Sequence, residues 1–333
     1  MTRTGEGSVL KLERLELDRV DWERLDAFDD RLIFQTRPWL EFVRRTQGAE
    51  PVVAAVLDAG DTVVGYFTGL VVRRFGVRIL GSPFPGWTTS YMGFNLQEGV
   101  PREEAARAVL RFAFGELRCW HLELKDRFLA PESVRDLAFE HTPNQTFEID
   151  LAVSEEEMFG RMTSACRRAI RKSEKVGVLV EEAAGDDGFA DEYYAQLEDV
   201  FAKQGLSPTY DVTRVRELIA AVHPTGQLLL LRARSPEGLS IATGLFPGLG
   251  GTAYFWGGAS WREHQALRPN EAIFWHAMRY WKARGVTTMD MGGGGDYKRK
   301  YGPIELNVPF FRKSRIRGLG TLRELARRRM STG

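Results

Sequence analysis

The 333-residue sequence predicts a layered α/β or α+β fold made of two related units. Three observations carry that prediction. Residues 52–57 (Val-Val-Ala-Ala-Val-Leu) and 62–70 are apolar runs joined by a turn containing Gly60, which is a β-hairpin signal. Residues 228–234 and 239–246 repeat the pattern across the turn at 235–238. Each hairpin is then followed by another strand region, a polar loop, an amphipathic helix and a further strand, so the two halves share one grammar.

In the first half the helix is expected over 101–117 and the closing strand over 119–124. In the second half they fall at 270–284 and 286–291. Ile273, Phe274, Ala277, Met278 and Trp281 recur at steps of three and four along the second helix, the spacing of a buried face. Between the halves, His141-Thr-Pro-Asn-Gln is a turn-rich break, and residues 147–151 alternate as a short strand. Ser154 then suits an N-cap, with Glu157 three residues on and acids at the positive end of the helix dipole. A basic helix is read over 161–175, and another helix over 189–203 with Tyr193, Leu197, Val200 and Phe201 as its apolar stripe. The expected division is a unit at 1–150, a second at 151–311, and a basic tail at 312–333, whose Leu319, Leu322, Leu325 and Ala326 suit an amphipathic helix.

Composition narrows the function classes. Hydrophobic content of 43% and charged content of 27% are those of a soluble globular chain, and a net charge of +1 gives no reason to expect a stable nucleic-acid complex. The charge is uneven locally. Residues 161–175 hold Arg161, Arg167, Arg168, Arg171, Lys172 and Lys175 against Glu174 alone, and residues 312–329 hold eight basic residues against Glu324. Two cysteines, Cys119 and Cys166, give no disulfide framework and suit a reducing compartment. With no signal peptide and no apolar run of about 20 residues, the expectation is a cytoplasmic protein. The basic tail leaves room for peripheral contact with an anionic membrane face. No metal is expected, because His121, His141, His223, His264 and His276 show no ligand spacing with one another or with the cysteines. No phosphate-binding P-loop and no Gly-x-Ser-x-Gly nucleophile elbow occur.

Residues 290–303 are the most informative stretch: Asp290, Met291, four glycines, Asp296, then Tyr297, Lys298, Arg299, Lys300, Tyr301, Gly302 and Pro303. Glycines let a backbone approach a ligand closely, and the cations and rings beside them could hold an anion or a developing oxyanion. A flexible turn with solvated lysines is the competing reading. Asp290 ends a strand, where it could orient an amine, act as a weak base or cap the glycine turn; Asp296 reads as solvent-facing. In the basic helix Arg167 and Arg171, Arg168 and Lys172, and Arg171 and Lys175 stand four apart and repel unless an anion sits among them. Arginine forks suit phosphate, so a phosphate-bearing substrate is expected: a nucleotide-sugar or lipid-diphosphate precursor, or tRNA. The alternative is a solvated face with distant acid partners. Asn270 reads first as a helix cap. Trp87, Tyr91 and Phe94 read as a buried aromatic cluster or a binding ledge. Trp256, beside Gly257 and Gly258, carries the same ambiguity. Cys166 reads as a small buried residue, although nearby arginines could lower its pKa.

Taken in order, Arg168-Ala-Ile-Arg-Lys-Ser-Glu-Lys-Val-Gly-Val, Ala253-Tyr-Phe-Trp-Gly-Gly-Ala, Pro269-Asn-Glu-Ala-Ile-Phe-Trp, Gly285-Val-Thr-Thr-Met-Asp-Met-Gly-Gly and Tyr297-Lys-Arg-Lys-Tyr-Gly resemble the FemABX-type aminoacyltransferases and their GNAT-like relatives. The first half resembles them in outline only, through Phe34-Gln-Thr-Arg-Pro-Trp-Leu, the hairpin and Gly81-Ser-Pro. The resemblance implies two tandem GNAT-like domains, each a mixed sheet flanked by helices. It implies transfer of an aminoacyl or acyl group onto an amine of a peptidoglycan or other cell-envelope precursor, with aminoacyl-tRNA or acyl-CoA as donor and no bound cofactor. Position carries the family's motif lysine onto Lys298, with Tyr297 beside it and Lys300 in competition. Asp290 is a helper, and Arg161, Arg168, Arg171, Lys172, Asn270, Lys300 and Tyr301 are substrate-binding candidates. The glycine loop by which ordinary GNAT enzymes grip the CoA pyrophosphate is missing: Arg262-Glu-His-Gln-Ala-Leu-Arg-Pro-Asn stands there. An acyl-CoA N-acyltransferase of polysaccharide or small-molecule synthesis and a non-catalytic binding protein remain open alternatives.

Overall fold

The computed structural model describes residues 10–315 except 75, 203 and 204. The chain forms two compact units, Met1–Asn144 with Asn307–Gly333, and Gln145–Leu306. The first runs β1 (Lys11–Leu15), α1 (Trp22–Asp26), α2 (Arg37–Gln47), β2 (Glu50–Leu57), β3 (Val63–Arg74), β4 (Val77–Ser82), β5 (Gly93–Leu96), α3 (Arg102–Arg111), β6 (His121–Leu124) and β7 (Glu140–Thr142). The second runs β8 (Gln145–Asp150), α4 (Glu155–Arg161), α5 (Ser164–Lys175), β9 (Leu179–Glu182), α6 (Asp187–Ala202), α7 (Val212–Val222), β10 (Leu228–Arg234), β11 (Ser240–Leu249), β12 (Thr252–Tyr254), β13 (Gly257–Ser260), α8 (Pro269–Ala283), β14 (Thr288–Asp290) and β15 (Ile304–Asn307). The chain then returns to the first sheet as β16 (Phe310–Ser314).

Both sheets have eight strands and mixed direction. The repeat is one of topology. In the first unit β2 and β3 form the hairpin, β3 passes from β5 to β4 along its length, and β4 lies parallel to β6 across α3. In the second unit β10 and β11 form the hairpin, β11 passes from β13 to β12, and β12 lies parallel to β14 across α8. The parallel contact requires a crossover, and the amphipathic helix supplies it. Alternation along the strands sends Phe147, Ile149, Ala253 and Met289 into a core with Ile273, Phe274, Ala277 and Met278 of α8. Each such large side chain contributes roughly 1.5–3 kcal/mol by burial.

Several expected boundaries move. Residues 145–150 belong to the second unit, because β8 pairs with β14 (Ile149 opposite Met289) and completes that sheet. Residues 310–314 do not begin a tail: β16 is inserted between β6 and β7. The remainder of the basic tail, from 316, lies outside the described residues. The helix at 101–117 is α3 followed by a wider π-type turn over Phe112–Glu116. The single basic helix at 161–175 is two helices. Met162 is extended, and the Thr163 side chain caps α5 by accepting from the Cys166 N–H, so Arg161 ends α4 rather than opening α5. Ser154 caps α4 as expected, accepting from the Glu157 N–H.

Candidate transfer site

The second sheet opens where β11 changes partners. β13 occupies it beside Ala242–Leu245 and β12 beside Gly248 and Leu249. The chain crosses between them at Phe255 and Trp256, whose N–H groups donate to the carbonyls of Asp290 (2.8 Å) and Leu245 (3.1 Å). β12 and β14 are parallel here, and Asp290 is the last residue of β14. The end of a parallel strand beside a break in the sheet is where crevices form. Asp290 is buried, and its Oδ1 accepts from Thr146 Oγ1 (2.5 Å) and from the Gly292 N–H (2.6 Å). It therefore caps the glycine turn and also faces a hydroxyl from β8. Asp290 pairs in register with Tyr254 on one side and Glu148 on the other. Both are buried, so three polar side chains form a row across three adjacent strands, on the face opposite Met289, Ala253 and Ile149.

Lys298 is not a solvated lysine. It is 6% exposed, and Nζ donates to the carbonyls of Met291 (2.6 Å), Gly292 (3.3 Å) and Gly293 (2.8 Å). Burial pulls its ammonium below the ordinary lysine value, and the nearby Asp290 opposes that shift. The three carbonyls favour the charged form, which alone has three protons to give. Lys298 thus clamps the glycine loop, which turns through positive φ at Gly292, Gly294 and Gly295. Tyr297 stands half-exposed with its ring centre 5.9 Å from Lys298 Nζ, and burial raises its phenol. Tyr301 belongs to the core: it is 1% exposed, stacks on Phe274 at 4.7 Å and has its phenol pushed well up by burial. As a substrate contact it is corrected to a packing residue. Asp296 is solvent-facing, as expected.

The remaining cations separate into two groups. Arg161 pairs with Asp150 (3.0 Å) and Glu157 (2.7 Å), so it is a strut of α4 and not part of an anion grip. Arg167 donates to the carbonyls of Gly160 and Met162, closing the end of α4. By contrast, no ion pair forms on Arg168, Arg171, Lys172 or Lys175 among the described residues; Arg171 stacks over Phe159 at 5.1 Å. Arg168 and Lys172 line a cleft of about 280 Å³ together with Cys166, Arg268, Glu271 and Lys300. Lys300 bonds Glu271 at 2.7 Å, which leaves three uncompensated cations around the cleft. Arg268 precedes α8 in a left-handed conformation (φ 64°), without a side-chain cap. Asn270 is not the cap: it lies inside α8 and its Nδ2 donates to Ser260 Oγ (3.0 Å). The Cys166 thiol is pushed up to about 11 by burial, which outweighs Lys300 and Arg167.

Trp87, Tyr91 and Phe94 resolve toward packing. Tyr91 and Phe94 are 1% exposed, and Trp87 rests on Phe84 at 4.8 Å. Trp256 joins Tyr210 (5.4 Å) and Tyr193 (6.5 Å), whose hydroxyls share a 2.8 Å hydrogen bond. Thr146, Glu148 and Tyr254 are site residues that sequence reasoning missed. Their only signal was a polar residue at alternate positions of two short apolar strands.

Residues 160–300 match the family model of the GNAT acetyltransferase domain. Residues 160–300 are thus a GNAT-type domain, and the chain is an acyltransferase. The crystal structure of FemX is similar to it over 90% of this chain and 96% of that one, with a TM-score of 0.74 and 16% identity. A tandem GNAT protein from the clavulanic acid biosynthesis pathway has a TM-score of 0.55 at 13% identity, over 92% of this chain and 98% of that one. L-PGS from Bacillus licheniformis has 0.55 at 12%, over 88% and 95%. At these identities the likeness is one of fold, and the fold of this acyltransferase is FemX-like and tandem GNAT. A search of curated proteins finds no match. Among the described residues no helix is long and apolar enough to cross a membrane, and no cluster of His, Cys, Asp or Glu could hold a metal ion.

Proposed function

We propose that this acyltransferase moves an aminoacyl or acyl group onto the amine of a phosphate-bearing cell-envelope precursor, in peptidoglycan-bridge chemistry of the FemABX kind. The observation that carries the reading is the set of uncompensated cations on α5 and around the α8 cleft, which reaches Lys300, two residues from the clamp on the glycine loop. Unpaired cations four residues apart on one helix repel by a few tenths of a kcal/mol per pair, and a phosphate reverses that sign. The names of two fold neighbours, FemX and L-PGS, fit envelope chemistry.

In this reading Asp290 orients the attacking amine and takes its proton. Lys298 acts through the glycine loop, which its three bonds to backbone carbonyls hold in shape. Arg168, Lys172 and Arg268 hold the phosphate of the donor or acceptor. Two donors suit the site, an aminoacyl-tRNA and an acyl-CoA. The test is to incubate the purified protein and a UDP-linked muramyl pentapeptide with radiolabelled aminoacyl-tRNAs or with acyl-CoA. Label entering the acceptor is expected, and release of free CoA marks the second donor. Ligand binding with no transfer from either donor would overturn the reading in favour of a non-catalytic role.

A further inference from the structure

We propose that Trp256 sets the size of the transferred group: its indole walls the break in the sheet beside Asp290, so that a small aminoacyl or acyl group is taken in preference to a large one. This rests on the reading of Asp290 just given for the place of the reaction, and it adds no chemical step. At β11 the sheet has α8 on one face and α6 on the other. A Cβ at Gly244 would lie 3.0 Å from Ile273 of α8, whereas Thr243 beside it donates to Gln196 of α6 at 2.7 Å. Ala253 and Met289 belong to the core with α8, so their neighbours Tyr254 and Asp290, which are register partners, lie on the α6 face. The next two residues part in the same way. Phe255 turns to α8 and packs on Phe274 at 4.6 Å. Trp256 turns to α6, with its ring centre 6.5 Å from that of Tyr193. Trp256 thus stands on the face of Asp290, one residue past the Phe255 N–H that donates to the Asp290 carbonyl.

The indole is braced from behind. Tyr210 lies against it at 5.4 Å, and the Tyr210 hydroxyl shares a 2.8 Å hydrogen bond with that of Tyr193. Tyr194 donates to the Tyr210 carbonyl at 3.0 Å, and the Arg214 guanidinium sits over the Tyr210 ring at 5.6 Å. The two glycines after Trp256 let rings close on the strand from both faces. A Cβ at Gly257 would come within 2.4 Å of the Tyr193 hydroxyl, and one at Gly258 within 3.0 Å of the Phe255 ring. Trp256 itself is half-buried, and its Nε1–H is buried with no acceptor among the described residues. Packing alone would be better served by a phenylalanine, because an unmet buried donor costs stability. The extra width of the indole is what a size-setting wall requires.

The experiment compares wild type, Trp256→Phe, Trp256→Ala and Asp290→Asn in the transfer assay above on two donor series. One is tRNA charged with glycine, leucine or phenylalanine, and the other is acetyl-, butyryl- or octanoyl-CoA. The quantity read is kcat/KM for the largest donor divided by that for the smallest. Trp256→Ala is expected to raise this ratio about 10-fold or more, the scale on which a pocket wall discriminates methylene groups, and Trp256→Phe to raise it less. A merely structural role lowers all donors together and leaves the ratio unmoved. If Trp256→Ala melts early, the ratio for Trp256→Phe decides. An unchanged ratio, with Asp290→Asn impaired, would overturn the wall while leaving the reading of Asp290 intact. A raised ratio with full turnover by Asp290→Asn would instead overturn that reading and leave the wall. If wild-type protein transfers from neither series, the ratio is taken from calorimetric Kd values for octanoyl-CoA and acetyl-CoA. An unchanged ratio there, or no binding of either, overturns the wall as well.

Discussion

Each unit has a buried aspartate at the end of its parallel crossover strand or just past it, and the two aspartates live differently. Asp126, just past β6, accepts at Oδ1 from the Phe128 N–H two residues on, as Asp290 does from Gly292. Its Oδ2 accepts from the Phe94 N–H and from Arg102, the first residue of α3, which also pairs with Asp30. A Cβ at Gly93 would collide with the carboxylate. The first unit has therefore filled its crevice with an internal guanidinium and backbone. Around Asp290 stand the Thr146 hydroxyl, the glycine loop and the nearby Lys298. The same capping aspartate is held by a guanidinium in one unit and by a hydroxyl and the glycine loop in the other. The residue at the start of the crossover helix makes the difference: Arg102 in α3, and in α8 a Pro269–Asn270 opening that bonds Ser260.

The largest effect expected from that contrast is on stability. Arg102→Met strands Asp30 and Asp126, and breaking a buried pair in this way costs about 3 kcal/mol. Denaturant unfolding should show it, with turnover per folded molecule unchanged. Next, Asp290→Asn should lower kcat about 100-fold, while Asp126→Asn leaves kcat alone; equal losses would erase the distinction between the units. Lys298→Met should cost about 2 kcal/mol by leaving loop carbonyls without their donor, with kcat falling as the loop shifts. Retained full turnover would remove Lys298 from the site. Arg168→Ala should weaken the phosphate-bearing substrate about 10-fold with kcat held, an effect that fades as salt rises.

The smallest effect is one of pH. Burial raises the Asp126 carboxyl above its ordinary value, with Arg102 opposing. The folded protein thus keeps this proton to higher pH than the unfolded chain does. No penalty exists below about pH 4, where both forms are protonated. Stability is lost as pH rises through the folded value. Unfolding curves at pH 4 and pH 7 should show the wild type losing stability relative to Asp126→Asn on going up.

Much of the second unit was legible from local pattern. The hairpins, α8 and the N-cap at Ser154 rest on periodicity and on neighbours within four residues. The glycine run and Asp290 stood out for the same reason. Other features were not legible. Lys298 differs from Lys300 only in where its side chain goes: into three carbonyls five to seven residues back rather than onto Glu271. Arg161 looked like one cation of a basic row, but the break at Met162 and Thr163 turned it toward Asp150 and Glu157. Tyr301 carried a motif and was spent on packing Phe274.

By itself the sequence determined the two-unit grammar, the place of the crossover helices and the concentration of cations on one helix, because each depends on periodicity or on charge count. Tertiary structure alone decided which aspartate a guanidinium holds, which lysine clamps the glycine loop and which arginines of the basic helices pair with acids among the described residues. It also decided that residues 310–314 close the first sheet. Those outcomes depend on strand register and on partners more than 100 residues apart, as Thr146 and Glu148 are from Asp290, and no local pattern encodes a neighbour across a sheet.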